Sequence, residues 1–171
     1  MDKFSGQRIR GARAREYEQI AHYIYLLDVL PSSIVEAAHT TVFGGLPAAQ
    51  REDLLGQLRP FLSDDERESA SADPDVLAGF IRSAEVRRTA ADAAPVADPR
   101  AAMTRAGVLG SVASAFLTVD GVRSYFSVGV GSVAIDDQPL WVQELVGHES
   151  APIDAGRMHQ RPGAGSAGIW P

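Results

Sequence analysis

The sequence predicts an all-α protein, and three observations carry the prediction. Apolar residues recur at three- and four-residue intervals through most of the chain, the period of a helix with one buried face. Pro31, Gly44-Gly45, Pro47, Pro74 and Pro99 fall at the ends of these runs, where such residues start or stop helices. A length of 171 residues that is 45% hydrophobic supplies one real core, enough for a bundle of about four helices and a further apolar segment.

Residues 1–15 carry Lys3, Arg8, Arg10, Arg13 and Arg15 against Asp2, with Gly6 and Gly11 interrupting the periodicity. They are expected to form a flexible basic arm, and no apolar run follows the charges as a secretory signal requires. From Glu16, the positions Ile20, Tyr23/Ile24, Leu27 and Leu30 mark a helix that Pro31 stops. A cap candidate in Pro31-Ser32-Ser33 opens a second helix with Ile34, Val35, Ala38 and Val42 inward, ended by Gly44-Gly45. Pro47 starts a third, with Leu54, Leu55 and Leu58 buried and Pro60 as its limit. Ser63-Asp64-Asp65-Glu66 has the capping-box pattern, so a turn of helix restarts there.

Asp73-Pro74 begins the last helix of the 16–88 bundle, with Val76, Leu77, Phe80, Ile81 and Ala84 inward and Arg82, Arg87 and Arg88 outward. Residues 89–98 are Ala/Pro-rich and read as a linker. A helical segment follows over 99–148. Its first helix runs from Asp98-Pro99 through Met103, Leu109, Ala113 and Phe116 to about Val119. Residues 119–135 admit two readings, a short β-hairpin around 115–135 or a helix capped by Asp120 with Val122, Tyr125 and Phe126 on one side, and the helix is favoured. A short helix starts at Pro139 and ends near Gly147. Residues 149–171 are Gly/Pro/Ala/Ser-rich and read as a disordered tail.

Composition narrows the chemistry. The absence of cysteine excludes disulfides, thiolate metal sites and thiol nucleophiles. Lys3 is the only lysine, which leaves no candidate for a phosphate-loop or Schiff-base lysine. The net charge of −6 argues against a general nucleic-acid binder.

Across residues 17–88, the strings Tyr25-Leu26-Leu27, Ile34…His39…Phe43, Leu46-Pro47…Arg51…Leu58 and Ala72-Asp73-Pro74-Asp75-Val76-Leu77-Ala78 are helix-packing patterns. In them the chain resembles small actinobacterial proteins that carry the label cation-transporting ATPase. The resemblance implies a helical family without an established activity and transfers no functional residue. A transport ATPase needs an aspartyl-phosphate motif, a nucleotide domain and many membrane spans, and the sequence has none of these.

Four motifs invite a chemical reading. Glu36 and His39 lie three apart on one helical face, as in di-iron bundles, and His22 is a third candidate ligand. Those bundles need two Glu-x-x-His units and two further glutamates; one unit occurs here, so a hydrogen-bonded core histidine outweighs a metal site. Gly129-Val130-Gly131-Ser132-Val133-Ala134 matches a dinucleotide fingerprint, but the residues that follow are too few for the fold it serves. Ser132 lacks the nucleophile-elbow context, and no catalytic residue is assigned. Residues 106–119 are uncharged, with small residues four apart. They are too short to span a bilayer, so a buried helix is favoured over a re-entrant membrane hairpin at 106–135.

The sequence therefore points to a non-enzymatic interaction or scaffold protein without a cofactor, in the cytoplasm or peripheral to the inner membrane face. Its expected contacts are Leu109, Phe116, Tyr125, Phe126 and Trp141, with Trp170 as a tethered docking residue. The expected partner is another protein or a second copy. An anionic membrane surface reached by the basic arm is the alternative.

Overall fold

The computed structural model describes residues 3–90, 98–127 and 135–147. Among them the chain forms nine α-helices and two single 3-10 turns, with no strand. The helices are α1 (Lys3–Val29), α2 (Ser32–Gly44), α3 (Ala48–Leu58), α4 (Asp64–Glu68), α5 (Pro74–Ala90), α6 (Pro99–Arg105), α7 (Leu109–Phe116), α8 (Asp120–Ser127) and α9 (Leu140–Leu145). The 3-10 turns are Arg59–Phe61 and Ile135–Asp137.

Several starts and stops follow the local chemistry that the sequence announces. Ser63 and Glu66 form a reciprocal capping box at α4: the Glu66 amide donates to Ser63 Oγ at 3.3 Å and the Ser63 amide to Glu66 Oε2 at 2.8 Å. Asp98 accepts from the Arg100 amide at 3.0 Å and caps α6, with Pro99 in its first turn. The cap expected in Pro31-Ser32-Ser33 is absent; Pro31 itself precedes α2, and no side chain caps that end. Arg51 ties loops together, donating to the carbonyls of Leu46 at 2.7 Å and Ala72 at 3.0 Å.

Three expectations are corrected. The basic segment is not an arm separate from the first helix, because α1 is continuous from Lys3. The helix expected from Pro99 to Val119 is two helices. Ala106–Val108 breaks it, with Gly107 at φ 69°, a left-handed conformation that ends α6 and turns the chain into α7. The hairpin alternative is overturned through residue 127, where α8 stands in its place. Residues 91–97, 128–134 and 148–171 lie outside the described residues. With them go most of the linker, the Gly129–Ala134 motif with Ser132, and the tail with Trp170.

α2 packs most extensively on α5, α1 on α7 and α3 on α6, while α2 also meets α7 and α8. One continuous hydrophobic cluster joins Tyr23 and Leu26 of α1, Phe43 of α2, Leu54 and Leu58 of α3 and Ile81 of α5. It extends without a break to Met103, Phe116, Val122 and Val142 on α6 to α9. The C-terminal helices thus complete the core that the N-terminal ones begin. α9 is held to α1 by Trp141, whose indole stacks on His22 at 3.9 Å, and by Tyr25, whose hydroxyl donates to Gln138 at 3.1 Å.

Two glycines should respond oppositely to alanine. At Gly107 the positive φ makes a Cβ unfavourable, and Gly107→Ala should lower stability by about 1–2 kcal/mol. Gly79 lies inside α5, where a Cβ would meet nothing within 4 Å, so Gly79→Ala should raise stability by about 0.5–1 kcal/mol. Urea denaturation of the two variants measures both.

Candidate functional site

His39 is the most chemically unusual side chain in the core. It projects from α2 one helical turn before Phe43, and both are buried because this face of α2 packs on α7 and meets the Tyr23 side chain of α1. Its residual exposure is 1%. Tyr23 of α1 reaches it with a hydroxyl-to-Nε2 distance of 2.8 Å, and Phe43 stacks on the imidazole with centroids 5.4 Å apart. Phe116 of α7 closes the other side, 5.1 Å from the ring centroids of both His39 and Tyr23.

Burial dominates the titration of both partners. Desolvation pulls His39 down to about 3, so the imidazole is neutral at physiological pH. Desolvation, reinforced by the charge of Glu85, drives the Tyr23 phenol well above its usual range. Two neutral groups then share one proton bond, and the arrangement with fewest unmet needs has the Tyr23 hydroxyl donating to Nε2. Nδ1 keeps its hydrogen and finds no partner. The pair is sealed from solvent. It presents neither a charged base nor an open face to a reactant, so it serves the packing of three helices and not acid–base chemistry.

The structure does not bring together the metal ligands read from the sequence. Glu36 turns outward and pairs with Arg82 Nε at 3.1 Å, His39 is committed to Tyr23, and His22 is stacked under Trp141. Among the described residues, no group of three or more His, Asp or Glu side chains could hold a metal ion.

The expected contact residues lie at different depths. Phe116 and Phe126 are core residues, and Leu109, Tyr125 and Trp141 are half-buried against the cluster. Val108, Val112, Ala113 and Val122 are fully covered, so the apolar side chains that a re-entrant hairpin would give to lipid are spent inside the bundle. Among the described residues no helix is long and apolar enough to cross a membrane. The small residues of 106–119 pair α7 with α1, and the side chain of Glu16 lies against Gly110.

What remains exposed is a stretch of α1, residues 11–18. Residues 11–18 are exposed without exception, and Tyr17 is the most exposed large apolar side chain described, at 73%. A helix lying along a bundle buries something every three or four residues. Eight consecutive exposed positions, more than two turns, mean that this stretch of α1 lies at the edge of the bundle, which it touches through the Glu16 side chain against Gly110. Sequence reasoning located the charges but missed the helix, because Gly6 and Gly11 argued locally against it. It also missed the role of Tyr23, whose place in an apolar stripe carries no sign of a polar partner sixteen residues away.

The fold defines an all-α protein with a closed aromatic and histidine core and an N-terminal helix exposed over residues 11–18. Comparison with protein-family models, with curated proteins and with solved structures gives no match.

The buried pair makes stability depend on pH. In the unfolded chain His39 takes a proton below about 6.5, whereas the folded chain resists protonation down to about 3. The unfolded state therefore binds more protons in that window, and stability falls as the pH drops through it, by at most about 1.4 kcal/mol per pH unit from this group. The groups around the ring, Tyr23, Phe43 and Phe116, carry no charge to offset this. His39→Leu should flatten the slope between pH 6.5 and 4, and Tyr23→Phe should cost about 1–3 kcal/mol at neutral pH by leaving Nε2 unpaired. Denaturation midpoints measured across this pH range check both.

Proposed function

We propose that this chain is a non-enzymatic interaction protein, and that its contact element is the basic N-terminal part of α1, exposed over residues 11–18, with a second copy of the chain as partner. The exposure of residues 11–18 on every side is the observation that carries the reading. A helical stretch of this kind, with glycines in its sequence and residues 11–18 exposed, is marginal alone in water and gains from a surface to lie on.

Charge indicates which surface. Residues 1–15 hold five cations and one carboxylate, whereas residues 16–171 hold eleven cations and 21 carboxylates. The body of one copy is thus complementary to the arm of another, and reciprocal exchange of arms closes a dimer. Carboxylates such as Asp65 and Glu68 on α4 are exposed and suited to receive arginines.

Light scattering on the full chain across a salt series tests this. Self-association is expected at low ionic strength and should be lost at about 0.5 M salt, where screening acts within a few ångströms. Replacing Arg8, Arg10, Arg13 and Arg15 with Gln should give a monomer in both conditions. A wild-type chain that stays monomeric at low salt overturns the reading. So does an assembly indifferent to the four substitutions, or an arm that captures anionic vesicles or nucleic acid while the protein stays monomeric.

A further inference from the structure

The opposite end of α1 borders a cleft that the self-association reading does not use. The cleft opens between the C-terminal turn of α1, the start of α2, α5 and the first turn of α6, and encloses about 270 Å³. At a water's share of liquid volume this is room for about nine water-sized groups, the scale of a single small metabolite. Its floor is aliphatic, made by Leu27, Leu30, Val35 and Ile81. Its rim is charged, with Asp28, Arg82, Arg88 and Arg100.

The three arginines are each paired through Nε. Arg88 donates from Nε to Glu85 at 2.8 Å and Arg100 from Nε to Asp98 at 3.3 Å, while Arg82 Nε forms an ion pair with Glu36 at 3.1 Å. Each guanidinium thus faces a carboxylate with its inner nitrogen, while its Nη groups make no hydrogen bond among the described residues. A planar guanidinium anchored in this way is pre-organised to receive a carboxylate. Asp28 is the complement, an exposed carboxylate on the same rim with no hydrogen bond or ion pair among the described residues. The Arg88 guanidinium is held above its ordinary pKa first by the Glu85 hydrogen bond and charge, and Asp28 lies close enough to add to that effect.

The open rim thus offers donors for an anion and an acceptor for a cation over an aliphatic floor. A purely anionic ligand would leave Asp28 unpaired in a region where four carboxylates, Asp28, Glu36, Glu85 and Asp98, already outnumber three guanidiniums. A purely cationic ligand would leave the Nη groups unused. We propose that the cleft between α1, α2, α5 and α6 binds a zwitterionic α-amino acid with a branched aliphatic side chain. Its ammonium lies at Asp28, its carboxylate at the arginine rim, and its side chain on Leu27, Leu30, Val35 and Ile81. The volume of the cleft matches a single amino acid, and the aliphatic floor disfavours a polar side chain.

Titration calorimetry of the full chain tests the assignment with three probes: L-leucine, isocaproate, which lacks the ammonium, and isoamylamine, which lacks the carboxylate. Saturable binding of leucine is expected, with each of the other two weaker by about tenfold or more, since each forfeits one charge-assisted contact. Asp28→Asn should weaken leucine by about tenfold and leave isocaproate unchanged; Arg88→Gln should weaken leucine and leave isoamylamine unchanged. Both side chains are at the surface, and unchanged circular dichroism and melting would show that the variants fold. No saturable leucine binding at millimolar concentration overturns the proposal, as does equal binding of isoamylamine, which would make the rim a simple cation site. The arm substitutions that abolish self-association should leave leucine binding intact, so either idea can fail alone.

Discussion

Two neutral polar side chains can share an apolar interior only while bonded to each other, and Tyr23 and His39 are held to this condition at the meeting of α1, α2 and α7. Hydrogen bonding fixes their separation to a few tenths of an ångström, a tighter constraint than apolar contact imposes. Because Tyr23 belongs to α1 and His39 to α2, the bond sets the register between those helices. Phe116, edge-on to Tyr23 and tilted against His39, carries that register into α7. The short C-terminal helices then have a defined surface to complete, which explains how elements of six to eight residues such as α7, α8 and α9 persist at all.

Burial at this junction also decides what the chain does not offer chemically. A histidine held neutral far below its usual pKa and walled by Phe43 and Phe116 has no route to a reactant. Glu36, one turn away on α2, is drawn to the surface by Arg82 and so leaves the Glu-x-x-His pattern without a site. The same ion pair shapes the cleft, since it fixes one of the three arginines on the rim. A motif that resembles a metal unit thus supplies a core hydrogen bond with one residue and a binding surface with the other.

Most of the helices were legible in the sequence because their signals are local: the capping box at Ser63, the Asp98-Pro99 start and the stripes of α3 and α5 all act within a few residues. The break at Gly107 was not, since a glycine inside an apolar period is compatible with a continuous helix until packing on α1 and α3 demands a turn. The helical character of Lys3–Glu16 escaped for the opposite reason, its glycines and charges arguing for an arm. The candidate site was the least legible part. Arg82 and Arg88 read as outward-facing charges, which they are, and only the approach of α1, α2 and α6 places them with Asp28 and Arg100 around one aliphatic floor.

The central claim is that one core, organised around Tyr23 and His39, unites α1 from about Gln19 onward with α2 and α7, while residues 11–18 of α1 are exposed at its edge. Amide hydrogen exchange on the full chain, at a salt concentration that keeps it monomeric, measures this directly. The account predicts that amides of α2, α7 and the second half of α1 exchange together and slowest, through one cooperative opening, and that residues 11–18 exchange orders of magnitude faster. Slow exchange of residues 11–18 in the monomer would contradict it, as would an α7 that opens independently of α1 and α2.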